Sequence, residues 1–103
     1  MSPRIPIETA KIEQFCERWK ITEFALFGSV LREDFGPHSD VDVYVAFAPD
    51  ARWSLLDHVR MQEELAGIFG RSTHLATKRS IERSANYLRR REILGSAQVI
   101  YAA

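Results

Sequence analysis

One stretch limits the fold more than any other: Asp40-Val41-Asp42-Val43-Tyr44-Val45-Ala46-Phe47. Its β-branched residues recur at a period of two, which is the period of a strand and not of a helix. Val41, Val43 and Val45 share one face, and that face needs a covering layer. Asp40 and Asp42 share the other, with Cα atoms roughly 6.5–7 Å apart. A strand of this kind requires neighbours to pair with and helices to hide its valines.

The rest of the chain supplies both. Ile12, Phe15, Cys16 and Trp19 fall on one stripe of a first helix. Phe24–Phe27 predicts a short apolar strand ended by Gly28-Ser29, and Val30–Asp34 a brief helical turn before the loop at Gly36-Pro37. Residues 53–69 form a second helix whose broad apolar face is Leu55, Val59, Ala66 and Phe69, flanked by Leu56 and Leu65, with Gly70 as its stop. Trp53, Met61 and Ile68 fall off that stripe, which leaves them to a neighbouring helix or to a partner. Strands are expected at 72–77 and 97–102, with a helix or helix-turn-helix over 78–94. The order α, β, β, α, β, α, β predicts an α+β fold, a small mixed sheet of about four strands with helices packed on it.

Length and composition narrow the functional classes. A chain of 103 residues with 46% hydrophobic side chains reads as a single domain, 1–103, with its own core. One cysteine, Cys16, excludes a disulfide framework and a cysteine-rich zinc site, and its place on the apolar stripe makes it a core residue. No apolar run approaches the roughly 20 residues of a membrane span, and the N-terminal stretch lacks a signal-like apolar segment. A soluble, cytoplasmic protein with no membrane partner is expected. The net charge is zero, which argues against a dedicated nucleic-acid binder. The charge is nevertheless divided: residues 1–70 hold 7 basic and 12 acidic side chains, residues 71–103 hold 7 and 2. The basic end suits an anionic ligand or an acidic partner.

The chemistry concentrates between Phe27 and Phe47. Two carboxylates on one strand face repel each other, and a divalent cation removes that penalty. Solvated carboxylates at a strand entrance are the plainer reading of Asp40 and Asp42. Gly28 lets backbone approach a ligand closely, Ser29 adds a hydroxyl beside free N–H groups, and Arg32 follows three residues on with a guanidinium suited to phosphate. Together these residues offer a phosphate cradle and a metal-binding pair on neighbouring strands. No G-x-x-x-x-G-K-[ST] loop is present.

Gly28-Ser29, ten intervening residues and then Asp40-x-Asp42 resemble the signature of the polymerase-β-type nucleotidyltransferases. The GSVLR start and the SDVDV strand are most similar to the minimal nucleotidyltransferase (MNT) branch. The resemblance implies that Gly28 and Ser29 hold the triphosphate of ATP or another nucleotide. It implies that Asp40 and Asp42 bind two Mg²⁺ ions, with Mn²⁺ as a substitute, and that Arg32 supports the phosphates. Ser39 either supports that end of the site or caps the turn before the strand. The family's third aspartate is replaced by His74, and no acidic residue lies between Glu64 and Glu82 to take its place. Imidazole is a poor Mg²⁺ ligand but ordinarily titrates near pH 6.5, the range of a general base. His74 thus reads as a catalytic base, as a hydrogen-bonded strand histidine, or as the mark of a weakened enzyme.

His38 reads as a surface turn, His58 as a satisfied helix residue, and Arg89–Arg91 as a solvated face or a phosphate contact. A chain this short leaves little room for an acceptor-binding domain, so the acceptor is expected on a partner, in a homo- or hetero-oligomer. The MNT resemblance implies a HEPN-domain toxin as that partner, silenced by transfer of AMP from ATP to a tyrosine hydroxyl. The alternative is an antitoxin that neutralises its partner by binding.

Overall fold

A computed structural model describes residues 5–32 and 35–103. Helix α1 (Thr9–Arg18) leads into strand β1 (Ile21–Phe27), then a single 3-10 turn (Gly28–Leu31) and strand β2 (Val41–Phe47). Helix α2 (Leu55–Phe69), strand β3 (Thr73–Thr77), helices α3 (Lys78–Glu82) and α4 (Tyr87–Ser96), and strand β4 (Gln98–Ala102) complete the chain. The four strands lie in the order β3-β2-β1-β4. β1 is antiparallel to β2 and β4, while β3 runs parallel to β2, so the sheet is mixed as expected. The segment 78–94 takes the helix-turn-helix alternative.

Strand alternation divides the core. Val41, Val43 and Val45 are fully buried on the face covered by Ile12, Phe15 and Cys16 of α1 and by Met61 and Leu65 of α2. Burial pushes the Cys16 thiol up to about 12, with Glu13 and Glu17 adding to the effect, so it is a packing group and not a nucleophile. The opposite face carries a smaller core of Ala25, Phe27, Tyr44 and Ile81, with Ile93 and Leu94 of α4 packed against it. Asp42 lies on this second face and is partly exposed.

Two local expectations are corrected. The helical turn spans Gly28–Leu31 and not Val30–Asp34, of which Glu33 and Asp34 lie outside the described residues. The turn starts earlier because Val30 and Leu31 are both buried, which draws the chain inward directly after β1. The inward face of α2 is also different. Met61 and Leu65 are fully buried, and Trp53, Ile68 and Phe69 pack beside them. Leu55, Leu56 and Val59 are exposed. Directional bonds set this rotation. The Trp53 indole donates to the Trp19 carbonyl (2.9 Å), Trp19 Nε1 donates to Glu64 (2.8 Å), and Gln62 Oε1 accepts from the Leu75 N–H (2.9 Å). The helix ends as expected at left-handed Gly70, but it starts at Leu55 and not at residue 53, because Ser54 and Asp57 form a capping box there.

Candidate functional site

The site begins as a row across three strands. In the register Phe27 of β1 faces Asp42 of β2, and Asp42 faces His74 of β3. The next residue, Gly28, has φ +77°, and a Cβ added there would sit 2.5 Å from Asp42 Oδ2. Only glycine lets the backbone both turn left-handed and press against that carboxylate. The chain then enters the 3-10 turn, where buried Val30 and Leu31 anchor the loop and leave Ser29 half-buried beside it.

Gly28, Ser29, Arg32 and Asp42 line one cavity of about 520 Å³. Its far wall is α4, through Arg89, Glu92 and Ile93. Arg32 reaches it by a different route from the expected helical spacing. Its backbone is extended (φ −113°, ψ 159°) and its N–H donates to the Ser29 carbonyl at 2.9 Å, so the exit from the turn directs the side chain.

Asp40 lies just ahead of β2, exposed, and is not among the residues lining that cavity. The loop before it is held firmly. Ser39 Oγ accepts from the Gly36 N–H (3.0 Å), and Arg71 donates to the Gly36 and Ser39 carbonyls (3.1 and 3.3 Å) while stacking on Phe35. Ser39 therefore takes the turn-capping alternative and does not line the cleft. Arg71 had no signal in the sequence, since nothing about an arginine after a helix stop points to a distant loop.

Electrostatics mark Asp42 out. Burial pushes its carboxyl above the ordinary range and the charge of Asp40 adds to this, while His74, Arg89 and Arg32 pull the other way. His74 Nδ1 stands 3.8 Å from Asp42 Oδ1, too long for a hydrogen bond, with the imidazole largely exposed. Among the described residues no group of three His, Cys, Asp or Glu side chains could hold a metal ion by itself. The donors are instead the partly desolvated Asp42 carboxylate, on the cleft beside backbone and cationic groups, and the Asp40 carboxylate outside that cleft, whose charge reaches Asp42. That set fits a hard cation that keeps water and substrate-phosphate oxygens, as Mg²⁺ does.

The remaining candidates sort cleanly. His58 Nε2 is hydrogen-bonded to the Leu75 carbonyl (2.9 Å), a satisfied structural role. His38 is an exposed turn residue. Of the arginine run, Arg89 lines the cleft, Arg90 stacks on Tyr87 and donates to the Glu82 and Ser84 carbonyls, and Arg91 is exposed. Arg89 and Ile93 lie four residues apart and so share a face of α4, a spacing that could have singled out Arg89 beforehand.

Residues 10–100 match the nucleotidyltransferase domain family, and the chain belongs to that family. A Methanocaldococcus jannaschii protein assigned as a protein adenylyltransferase is 34% identical over 65 residues, which is 63% of this chain and 65% of that protein, just under two thirds of its length. The protein adenylyltransferase MntA of Thermococcus cleftensis is 33% identical over 76 residues, 74% of this chain and 75% of that one. A solved structure assigned as a minimal nucleotidyltransferase is 30% identical, with a TM-score of 0.66 over 87% of this chain and 86% of its own. The fold is also that of the MNT antitoxin bound to a tri-AMPylated Shewanella oneidensis HEPN toxin, at 18% identity, a TM-score of 0.61, and coverage of 92% of this chain and 70% of that one. Enzymes of this class use a nucleoside triphosphate with a divalent cation. Among the described residues no helix is long and apolar enough to cross a membrane.

Proposed function

We propose that this chain is a protein adenylyltransferase that moves AMP from ATP to a tyrosine hydroxyl of a HEPN-domain toxin, acting as its antitoxin from a single catalytic unit. One observation carries the reading: Gly28 pressed against Asp42, with Ser29 and Arg32 around the same cavity. The names of the relatives support it, as does the AMPylated toxin in the complex of the same fold.

The roles follow from the chemistry of each group. The Gly28 backbone and the Ser29 hydroxyl receive phosphate oxygens, and Arg32 and Arg89 balance their charge from two sides. Asp40 and Asp42 would hold divalent ions, two Mg²⁺ with Mn²⁺ able to replace them, whose chemistry is to polarise the α-phosphate and neutralise the departing pyrophosphate. The acceptor oxygen bonds to the α-phosphorus, the bond from that phosphorus to pyrophosphate breaks, and the hydroxyl proton passes to His74. The test is label transfer from α-phosphate-labelled ATP to the HEPN protein. Mg²⁺-dependent labelling that Asp42→Ala abolishes is expected, and no labelling with Mg²⁺ or Mn²⁺ would overturn the reading.

His74 favours one second reading, a weakened enzyme that neutralises its partner by contact. Neutralisation that survives Asp42→Ala, together with transfer gained in His74→Asp, would select it.

A further inference from the structure

Strand β3 forms one edge of the sheet, and it carries His74. The His74 side chain is 63% exposed and stands 3.8 Å from Asp42, beyond hydrogen-bond reach. Its place is therefore set by the backbone of β3, a strand of five residues. An edge strand presents one row of N–H and C=O groups with no neighbouring strand to bond, and weakly held segments open locally at small free-energy cost. The Val41 N–H donates to the Ser72 carbonyl at 3.0 Å, so the parallel pairing turns the backbone of Ser72, His74 and Ala76 toward β2. The backbone of Leu75 then faces outward.

Helix α2 stands in for the missing strand at Leu75. Gln62 Oε1 accepts from the Leu75 N–H and His58 Nε2 donates to the Leu75 carbonyl, both at 2.9 Å. His58 and Gln62 lie four residues apart, so they share a face of α2 and reach the same residue together. The Leu75 N–H belongs to the peptide unit that joins His74 to Leu75. Gln62 thus fixes one of the two peptide planes that meet at the His74 Cα. Neither Gln62 nor His58 lines the cavity of Asp42 or the smaller one, of about 260 Å³, that His74 lines. We infer that Gln62, with His58 beside it, is a positioning residue: it holds His74 in register opposite Asp42 and acts on the transfer through His74, without touching nucleotide or acceptor. This rests on the proton-accepting role proposed for His74 above.

A double-mutant cycle on the whole chain separates positioning from general support of the fold. Gln62→Met keeps the side-chain length and removes the acceptor oxygen, while Gln62→Glu keeps an acceptor. Gln62→Met should lower kcat for label transfer about tenfold and change KM for ATP less than about twofold, and Gln62→Glu should keep kcat within about threefold of the natural chain. Added to His74→Ala, Gln62→Met should cost less than about twofold more. His58→Leu is the second variant if Gln62→Met fails to fold, with the same pattern expected. An unchanged kcat, an equal loss in both backgrounds, or a loss that Gln62→Glu shares would each overturn the inference. Nuclear magnetic resonance of the chain with labelled histidines gives a readout apart from transfer. Gln62→Met is expected to move the ring signals of His74 and leave those of exposed His38 in place. Unmoved His74 signals would overturn the positioning role whether or not transfer occurs. Absence of transfer by the natural chain, or full transfer by His74→Ala, would overturn the role of His74 in the reaction instead, and the ring signals would still decide whether Gln62 positions it.

Discussion

Gly28 and Asp42 carry the account at the scale of single residues, and they respond to substitution in opposite ways. Gly28→Ala forces a Cβ to 2.5 Å from the Asp42 carboxylate at a φ of +77°. Left-handed backbone alone costs an L-residue roughly 1–2 kcal/mol, so the variant should melt earlier and bind ATP about tenfold or more weakly. Gly67→Ala is the control: it lies inside α2 with open space around it, and it should stabilise by about 0.5–1 kcal/mol. Asp42→Asn should raise the melting temperature of the free protein while removing metal-dependent binding. The folded protein holds the Asp42 proton more tightly than the unfolded chain does, chiefly because of burial. Its favourable contribution is therefore complete below the ordinary carboxylate range and is lost as pH rises through the folded value. Wild type and Asp42→Asn should converge at low pH and diverge toward neutrality in thermal melts. The sequence singled out Gly28, Ser29, Asp40 and Asp42 by residue type and spacing; the structure brings Gly28, Ser29 and Asp42 onto one cavity and leaves Asp40 exposed just ahead of β2. The arginine run offered a phosphate contact without showing which of the three makes it, and the hold of Arg71 on the loop before β2 depends on packing between elements far apart in the chain.

Among the elements, β2 was the most legible and α2 the least. A period of two has only two phases, and three valines fix which one is buried. Helix α2 offers apolar residues around most of its circumference, so composition cannot choose the inward stripe. The Trp19–Glu64, Trp53–Trp19 and Gln62–Leu75 hydrogen bonds choose it. The choice is measurable by denaturation. Met61→Ala should cost about 2–5 kcal/mol, as buried methionines do. Leu55→Ala, at 81% exposure, should stay within about 0.5 kcal/mol. Equal losses from the two would contradict the observed rotation of the helix.

Across the whole molecule the divided charge acquires a purpose. The acidic first part of the chain supplies Asp42, and the basic last part supplies Arg89 across the cleft. Arg32 joins Arg89 in facing any phosphate placed between them. Binding of ATP should accordingly weaken as ionic strength rises, and Arg89→Ala should reduce that salt dependence, which titrations at several salt concentrations would show. The order of strands was open in the sequence because pairing between β1 and β4 joins distant segments. Once formed, that sheet brings Phe27, Asp42 and His74 into one row. The most direct test of the account is calorimetric titration of ATP into the purified chain, with and without Mg²⁺, for the natural sequence and Asp42→Ala. The account predicts Mg²⁺-dependent binding that Asp42→Ala abolishes. Absence of binding in both conditions, or binding that Asp42→Ala leaves intact, would contradict it.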